Sequence, residues 1–118
     1  MKYRWCIFIA NLDPVVGSEQ GKVRPVLVIS EEPINQILPV VNVLPVTSKK
    51  VNRRVYSNEV LIPSNVGDLE NLSIVLCYQI RTLDKKRLTK KIGEIIEPHI
   101  KKEIIEALCF QLGIQINC

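Results

Sequence analysis

The sequence has a single histidine, His99, and none of its four cysteines forms a C-x-x-C pair, so neither a zinc site of the Cys/His kind nor a thiol-redox motif is expected. Nothing else in the chain calls for a metal or a cofactor. Aromatic residues make up only 5%, which leaves few platforms on which nucleobases could stack. No apolar run approaches the ~20 residues of a membrane span. The stretch from Trp5 to Ala10 behind Lys2 and Arg4 is too short for a signal peptide. A cytoplasmic protein without membrane association is expected. Internal repeats, linkers and low-complexity tracts are absent. Cys6, Cys77, Cys109 and Cys118 are scattered, three of them in apolar surroundings, and read as buried reduced thiols rather than a disulfide framework.

What is present fits one ordinary globular domain, residues 1–118, long enough to bury a core without staples. Apolar residues at 47% and charged ones at 24% argue against disorder and against a coiled coil. A net charge of +4 is compatible with a polyanionic partner, but its distribution matters more than its total.

Taken in order, Trp5 to Ala10 reads as a buried first strand. Asp13 to Lys22 is a loop, because Asp13-Pro14 favours a turn and Gly17 and Gly21 tolerate positive φ. Val26 to Ile29 is apolar on both faces and predicts a central second strand. Arg24 stands at its mouth, and Pro25 biases it toward an extended conformation while being unable to pair fully. Glu31 to Gln36 breaks this strand. Pro39 to Val46 predicts a third strand, interrupted by Pro45 and closed by the hydroxyls of Thr47 and Ser48. A basic loop carrying Lys49, Lys50, Arg53 and Arg54 leads into a strand over Tyr56 to Ile62, and Pro63 to Asn71 is a plain loop. Ser73 to Ile80 predicts one continuous strand. A second basic cluster (Lys85, Lys86, Arg87, Lys90, Lys91) then precedes a short last strand over Ile92 to Ile95. Pro98 opens a terminal amphipathic helix in which Ile100, Ile104, Ile105, Leu108 and Leu112 recur at helical spacing, and Gly113 stops it. Several short strands and one helix predict a mainly β fold: a small, mostly antiparallel, barrel-like sheet with a C-terminal amphipathic helix.

The segment from Pro14 through Gly21 to Ile29 resembles the signature of the MazF/PemK/Kid family of toxin endoribonucleases. The likeness continues through Pro45-Val46-Thr47-Ser48, Gln79-Ile80-Arg81-Thr82-Leu83-Asp84, Lys86-Arg87-Leu88 and Lys91-Ile92-Gly93, in the family's order, and covers nearly the whole chain. The resemblance implies an SH3-like barrel of the CcdB/MazF type and a homodimer. It also implies cleavage of single-stranded mRNA at short sequences, without a metal ion, opposed by a cognate antitoxin. Arg24 matches the family's catalytic arginine, Thr47 its partner hydroxyl, and Gln79 a substrate-contacting position. Ser18, Glu19 and Gln20 of the loop, Ser48 and Lys49 beyond Thr47, and Tyr78 and Arg81 beside Gln79 are the further candidate RNA contacts. This chain departs from the family pattern in having Trp5-Cys6 where many relatives have Gly-Asp or Gly-Glu, and Asn11 where an acidic residue is common. The Arg and Asp of the Kid-like branch are replaced by Leu76 and Tyr78, and its loop histidine by Ser18, which leaves an Arg/Thr mechanism.

Cleavage by 2′-hydroxyl attack needs alignment, stabilisation of negative charge on the phosphate and proton transfer at both oxygens. With one histidine, arginine must carry more of the charge stabilisation. Arg24 can fork onto a phosphate and donate a proton to the leaving oxygen, and Thr47 can hydrogen-bond a phosphoryl oxygen, but arginine is a poor base and the sequence identifies none. Taken singly, each residue has a plainer role. Arg24 would be a surface arginine paired with Glu19 or Asp84, Thr47 a strand-end hydroxyl, and Gln79 a solvent-facing strand residue. Ser18, Glu19 and Gln20 suit a turn and an RNA lid equally. The basic clusters suit solubility as well as phosphate tracking. Among the aromatics, Tyr56 and Tyr78 are placed to meet a base, Tyr78 the better because it precedes Gln79. A non-catalytic CcdB-like toxin and a nucleic-acid-binding barrel are the alternatives.

Overall fold

The computed structural model describes residues 1–115, so Cys118 lies outside the described residues. Seven strands form one antiparallel sheet: β1 (Cys6–Asn11), β2 (Val23–Val28), β3 (Val40–Ser48), β4 (Glu59–Ile62), β5 (Ser73–Leu76), β6 (Arg81–Asp84) and β7 (Leu88–Glu94). The hydrogen-bonded path is β4-β5-β3-β2-β1-β7, with β6 added to β3, and among the described residues it does not close on itself. The fold is thus the expected antiparallel sheet with its terminal helix, in an open rather than sealed form. A short helix α1 (Glu32–Ile37) follows β2, where the sequence predicts only a break. The helix α2 (Pro98–Leu112) starts at Pro98 and ends at Gly113, whose φ of 68° places it in the left-handed region.

Cys6 to Phe8 of β1, Val26 to Val28 of β2 and Val43 to Val46 of β3 are buried on both faces, as their apolar character requires. Ile7, Leu27, Leu44 and Val46 face α2, meeting Ile100, Ile104, Ala107 and Leu108. Their alternate neighbours Phe8, Ala10, Val26, Val28, Val41 and Val43 fill a second core with Leu83 on the opposite face. Trp5 takes a φ of 65°, a conformation that suits glycine better than tryptophan. Its ring is buried, with Arg4 at 5.4 Å and Lys101 at 5.6 Å from the centroid. Aromatic burial and cation–π contact offset the backbone strain at this departure from the family pattern.

Two prolines on neighbouring strands shape everything near the site. The Ile29 amide donates to the Asn42 carbonyl at 3.0 Å. By the two-residue alternation of an antiparallel ladder, Leu27↔Leu44 is the next bonded pair and residue 25 the next that should donate to β3. Pro25 has no N–H, and the β2–β3 ladder stops at Val26↔Pro45. Beyond it the strands part: residues 23–25 stay with β1, while Val46, Thr47 and Ser48 pair with β5. The same alternation turns Pro45 to the other edge of β3, where it removes a donor facing the β5–β6 path. There the expected strand over Ser73 to Ile80 is broken: β5 ends at Leu76, a 3-10 turn spans Cys77–Gln79, and pairing resumes at Arg81↔Val43. β3 itself runs through Pro45 without interruption. The fourth strand begins at Glu59 rather than Tyr56.

Glu32 fastens the N-terminal segment to α1. Its carboxylate accepts from the amides of Tyr3 (3.1 Å) and Arg4 (2.9 Å) and from the side chains of Asn35 (3.2 Å) and Gln36 (2.7 Å). Burial opposes ionisation, but these donors outweigh it and hold the carboxyl at about 2, below its ordinary 4.5. A depressed folded value means the stabilisation is fully present above about 4.5 and is lost as pH falls toward about 2. In thermal unfolding measured across that window, Glu32→Gln is expected to flatten the acid-side loss of stability; an unchanged slope would contradict the assignment.

Candidate active site

The parting of β2 and β3 opens a cleft of about 360 Å³. Arg24 and Pro25 line one side, Thr47 and Ser48 the other, and the loop bearing Asp68, Glu70 and Asn71 forms its end. Arg24 and Thr47 are therefore brought together although 23 positions separate them. Both are half-buried. The Arg24 Nε donates to the Gly21 carbonyl at 2.9 Å, which fixes the guanidinium plane against the loop. Its terminal nitrogens have no acceptor among the described residues, and no carboxylate lies within ion-pair distance. Neither Glu19 nor Asp84 pairs with it. Glu19 instead accepts from the Val16 amide at 2.6 Å, and Asp84 from the Lys86 amide at 2.8 Å. A planar fork left unpaired at a cleft mouth suits a phosphate.

A second cleft, of about 440 Å³, lies beneath the loop and is lined by Ser18, Glu19, Tyr78, Gln79 and Arg81. The 3-10 turn opposite Pro45 presents Tyr78 and Gln79 here, rather than the extended strand the sequence predicts. Gln79 holds the loop with both ends of its amide: the oxygen accepts from the Gln20 N–H at 2.7 Å and the nitrogen donates to the Ser18 carbonyl at 3.3 Å. Arg81 donates to the Leu12 carbonyl at 3.0 Å, and Arg87 to the carbonyls of Asn11 (3.2 Å) and Asp13 (2.7 Å). A Cβ at Gly21 would lie 2.6 Å from Asp13 Oδ1 and 2.8 Å from Val15 Cγ2, so those side chains would have to shift. The loop thus touches both clefts, through Gly21 on Arg24 and through Ser18 and Gln20 on Gln79. Of the remaining candidates, Gln20 is half-buried and Lys49 lines neither cleft.

The basic clusters are only partly free. Arg53 is committed to Glu59 by two hydrogen bonds of 2.9 and 2.6 Å. Arg54 lies over the Tyr56 ring at 5.8 Å, and Lys85 over the Tyr3 ring at 4.9 Å. Lys50, Lys86, Lys90 and Lys91 are exposed. Tyr78 is 40% exposed, enough to offer its ring to a ligand. Burial pushes the Cys77 thiol up to about 12, which makes it a packing residue rather than a nucleophile. Sequence reasoning missed the acidic end of the first cleft. Asp68 and Glu70 sit in a segment that reads as a plain loop, and only the topology places them opposite Arg24.

Comparison with known proteins agrees with this architecture. The family model described as PemK-like, MazF-like toxin of type II toxin-antitoxin system matches residues 3–112. A relative named Endoribonuclease MazF, from Staphylococcus saprophyticus, is 36% identical over 114 residues, covering 97% of this chain and 93% of the relative. A crystal structure of MazF from Deinococcus radiodurans superposes with a TM-score of 0.79 at 28% identity, covering 95% of this chain and 96% of that one. A MazE-MazF structure from the same organism gives 0.72 at 28% identity, with 96% of each chain covered. The match spans the loop, both proline-bearing strands and the terminal helix, and the chain belongs to the PemK-like, MazF-like family of type II toxin-antitoxin toxins.

Proposed function

We propose that this protein is the toxin of its pair: an endoribonuclease that cuts single-stranded mRNA at short sequences and so arrests translation. The observation that carries this reading is the unpaired guanidinium fork of Arg24 in the same cleft as the Thr47 hydroxyl. In the proposed reaction the 2′-oxygen attacks the adjoining phosphorus, Arg24 spans two phosphoryl oxygens and protonates the departing 5′-oxygen, and Thr47 donates to a phosphoryl oxygen. Ser18, Glu19, Gln20, Ser48, Lys49, Tyr78, Gln79 and Arg81 are the proposed RNA contacts around this centre. The loop over residues 13–22 acts as a lid, tied down by the Gln79 amide through Gln20 and Ser18. The exposed lysines supply salt-dependent attraction to the backbone.

The family and the MazE-MazF relative support a homodimer restrained by a cognate antitoxin, whose acidic, disordered segment would complement the basic surface. No described helix is long and apolar enough to cross a membrane, and the proposed site of action is the cytoplasm, where mRNA is. The test is incubation of the purified protein with a defined single-stranded RNA in EDTA. Discrete fragments ending in 2′,3′-cyclic phosphate are expected. Binding without cleavage would favour a nucleic-acid-binding barrel, and neither outcome would favour a CcdB-like toxin.

A further inference from the structure

We propose that Glu70 is the general base that takes the proton from the attacking 2′-hydroxyl, an inference that rests on the endoribonuclease reading above. Arg24 cannot serve, because its protonated guanidinium carries only donors and has no acceptor site. His99 is exposed at the start of α2 and lines neither cleft, and Glu19 lines the other cleft with its carboxylate on the Val16 amide. The residues lining the Arg24–Thr47 cleft include two carboxylates, Asp68 and Glu70.

Their placement differs. Asp68 turns toward β7, with Oδ2 2.9 Å from where a Cβ on Gly93 would stand. Glu70 lies on the side that carries Thr47 and Ser48. The Asn65 amide binds the Leu69 carbonyl at 2.6 Å, and the Lys49 amide binds the Leu72 carbonyl at 2.8 Å. These two bonds hold residues 69–72 beside the end of β3, with Leu69 buried beneath them. Glu70 is exposed, lines the cleft, and its carboxylate has no hydrogen-bond or ion-pair partner among the described residues. A carboxylate left without a protein donor, across a cleft from a cation that can hold a phosphate, is free to accept a proton from the substrate. In the step, the 2′-O–H proton passes to Glu70 and the O2′–P bond forms as the P–O5′ bond breaks. The departing oxygen takes a proton from Arg24, which recovers one from water while Glu70 releases its own.

The experiment measures single-turnover cleavage against pH for Glu70→Gln, Asp68→Asn and the unsubstituted protein. Binding of the same RNA with 2′-O-methyl groups, which lacks the nucleophile, is measured in parallel. Glu70→Gln is expected to lose about 10²-fold or more in rate and to flatten the rise on the acid side of the profile, with binding unchanged. Glu70→Ala is expected to regain rate as formate is added, because a small carboxylate can enter the vacated place. Full activity of Glu70→Gln, loss of activity in Asp68→Asn instead, or loss of binding in step with loss of rate would overturn the inference and leave the endoribonuclease reading standing. No cleavage by the unsubstituted protein would overturn both.

Discussion

Arg24→Ala is expected to abolish RNA cleavage while leaving the fold in place. Among the described residues the guanidinium is the one cation lining the first cleft, and its one hydrogen bond runs from Nε to the Gly21 carbonyl. Removing one preorganised donor from a developing charge costs about 10²–10³ in rate. Arg24 supplies two donors and a full charge, so a loss of at least about 10³-fold is expected. The structural cost is that of one half-exposed hydrogen bond, about 1 kcal/mol, and the unfolding midpoint should move little. Arg24→Lys keeps the charge but not the planar fork, and is expected to recover only a minor part of the rate. Fragment yield from a defined RNA, measured beside thermal unfolding, checks both statements. Undiminished cleavage by the alanine variant would remove Arg24 from the reaction.

Part of this arrangement is legible in the chain before any coordinates. The helix over Pro98–Leu112 follows from its apolar spacing, its proline and its terminal glycine, all local signals. The doubly buried strands follow from runs such as Val26-Leu27-Val28. Arg24 and Thr47 can be paired from the family signature, and the physical reason for their meeting lies in Pro25, whose missing N–H ends the β2–β3 ladder. What could not be read depends on partners far along the chain. Ser73 to Ile80 reads as one strand because Ile74 to Tyr78 is apolar with no local break, and the 3-10 turn over Cys77–Gln79 arises opposite Pro45, more than thirty residues earlier. Helix α1 has a proline start but no apolar stripe, and Asn35 is its one buried residue. Gln79 reads as a solvent-facing strand residue because nothing local shows that its amide meets Ser18 and Gln20. The acidic end of the cleft was hidden for the same reason.

Arg53→Ala is expected to produce the largest loss of stability among the basic-loop residues, and to produce it at neutral pH. Arg53 and Glu59 stand six positions apart across a turn, so no helical or strand periodicity announces their pairing. The Glu59 side chain is only 2% exposed, and it accepts two hydrogen bonds from Arg53 and one, at 3.0 Å, from the Tyr56 amide. The hydrogen bonds from Arg53 lower its pKa, burial opposes them, and the Tyr56 amide and the arginine charge add to the lowering. A depressed folded value contributes stability above the ordinary glutamate value of 4.5, and that contribution is lost as pH falls through the folded value. Without Arg53 the burial remains and most of the compensation is gone, so the carboxylate of the variant resists ionisation. Removing one partner of a fully buried pair costs about 3–5 kcal/mol; since 30% of the Arg53 side chain is exposed and water can enter its place, about 2 kcal/mol is expected here. The deficit should shrink as pH falls toward 4.5 and below it, because protonation first removes the uncompensated charge from the variant and the parent then loses its ion pair as pH falls through its depressed folded value. Urea unfolding at pH 7 and at pH 4 measures this directly. Adding Glu59→Gln to the Arg53→Ala variant should recover much of the loss at pH 7, as it removes the stranded charge. A deficit that is the same at both pH values, or that the second substitution leaves untouched, would show that Arg53 stabilises the protein through its packing and not through Glu59.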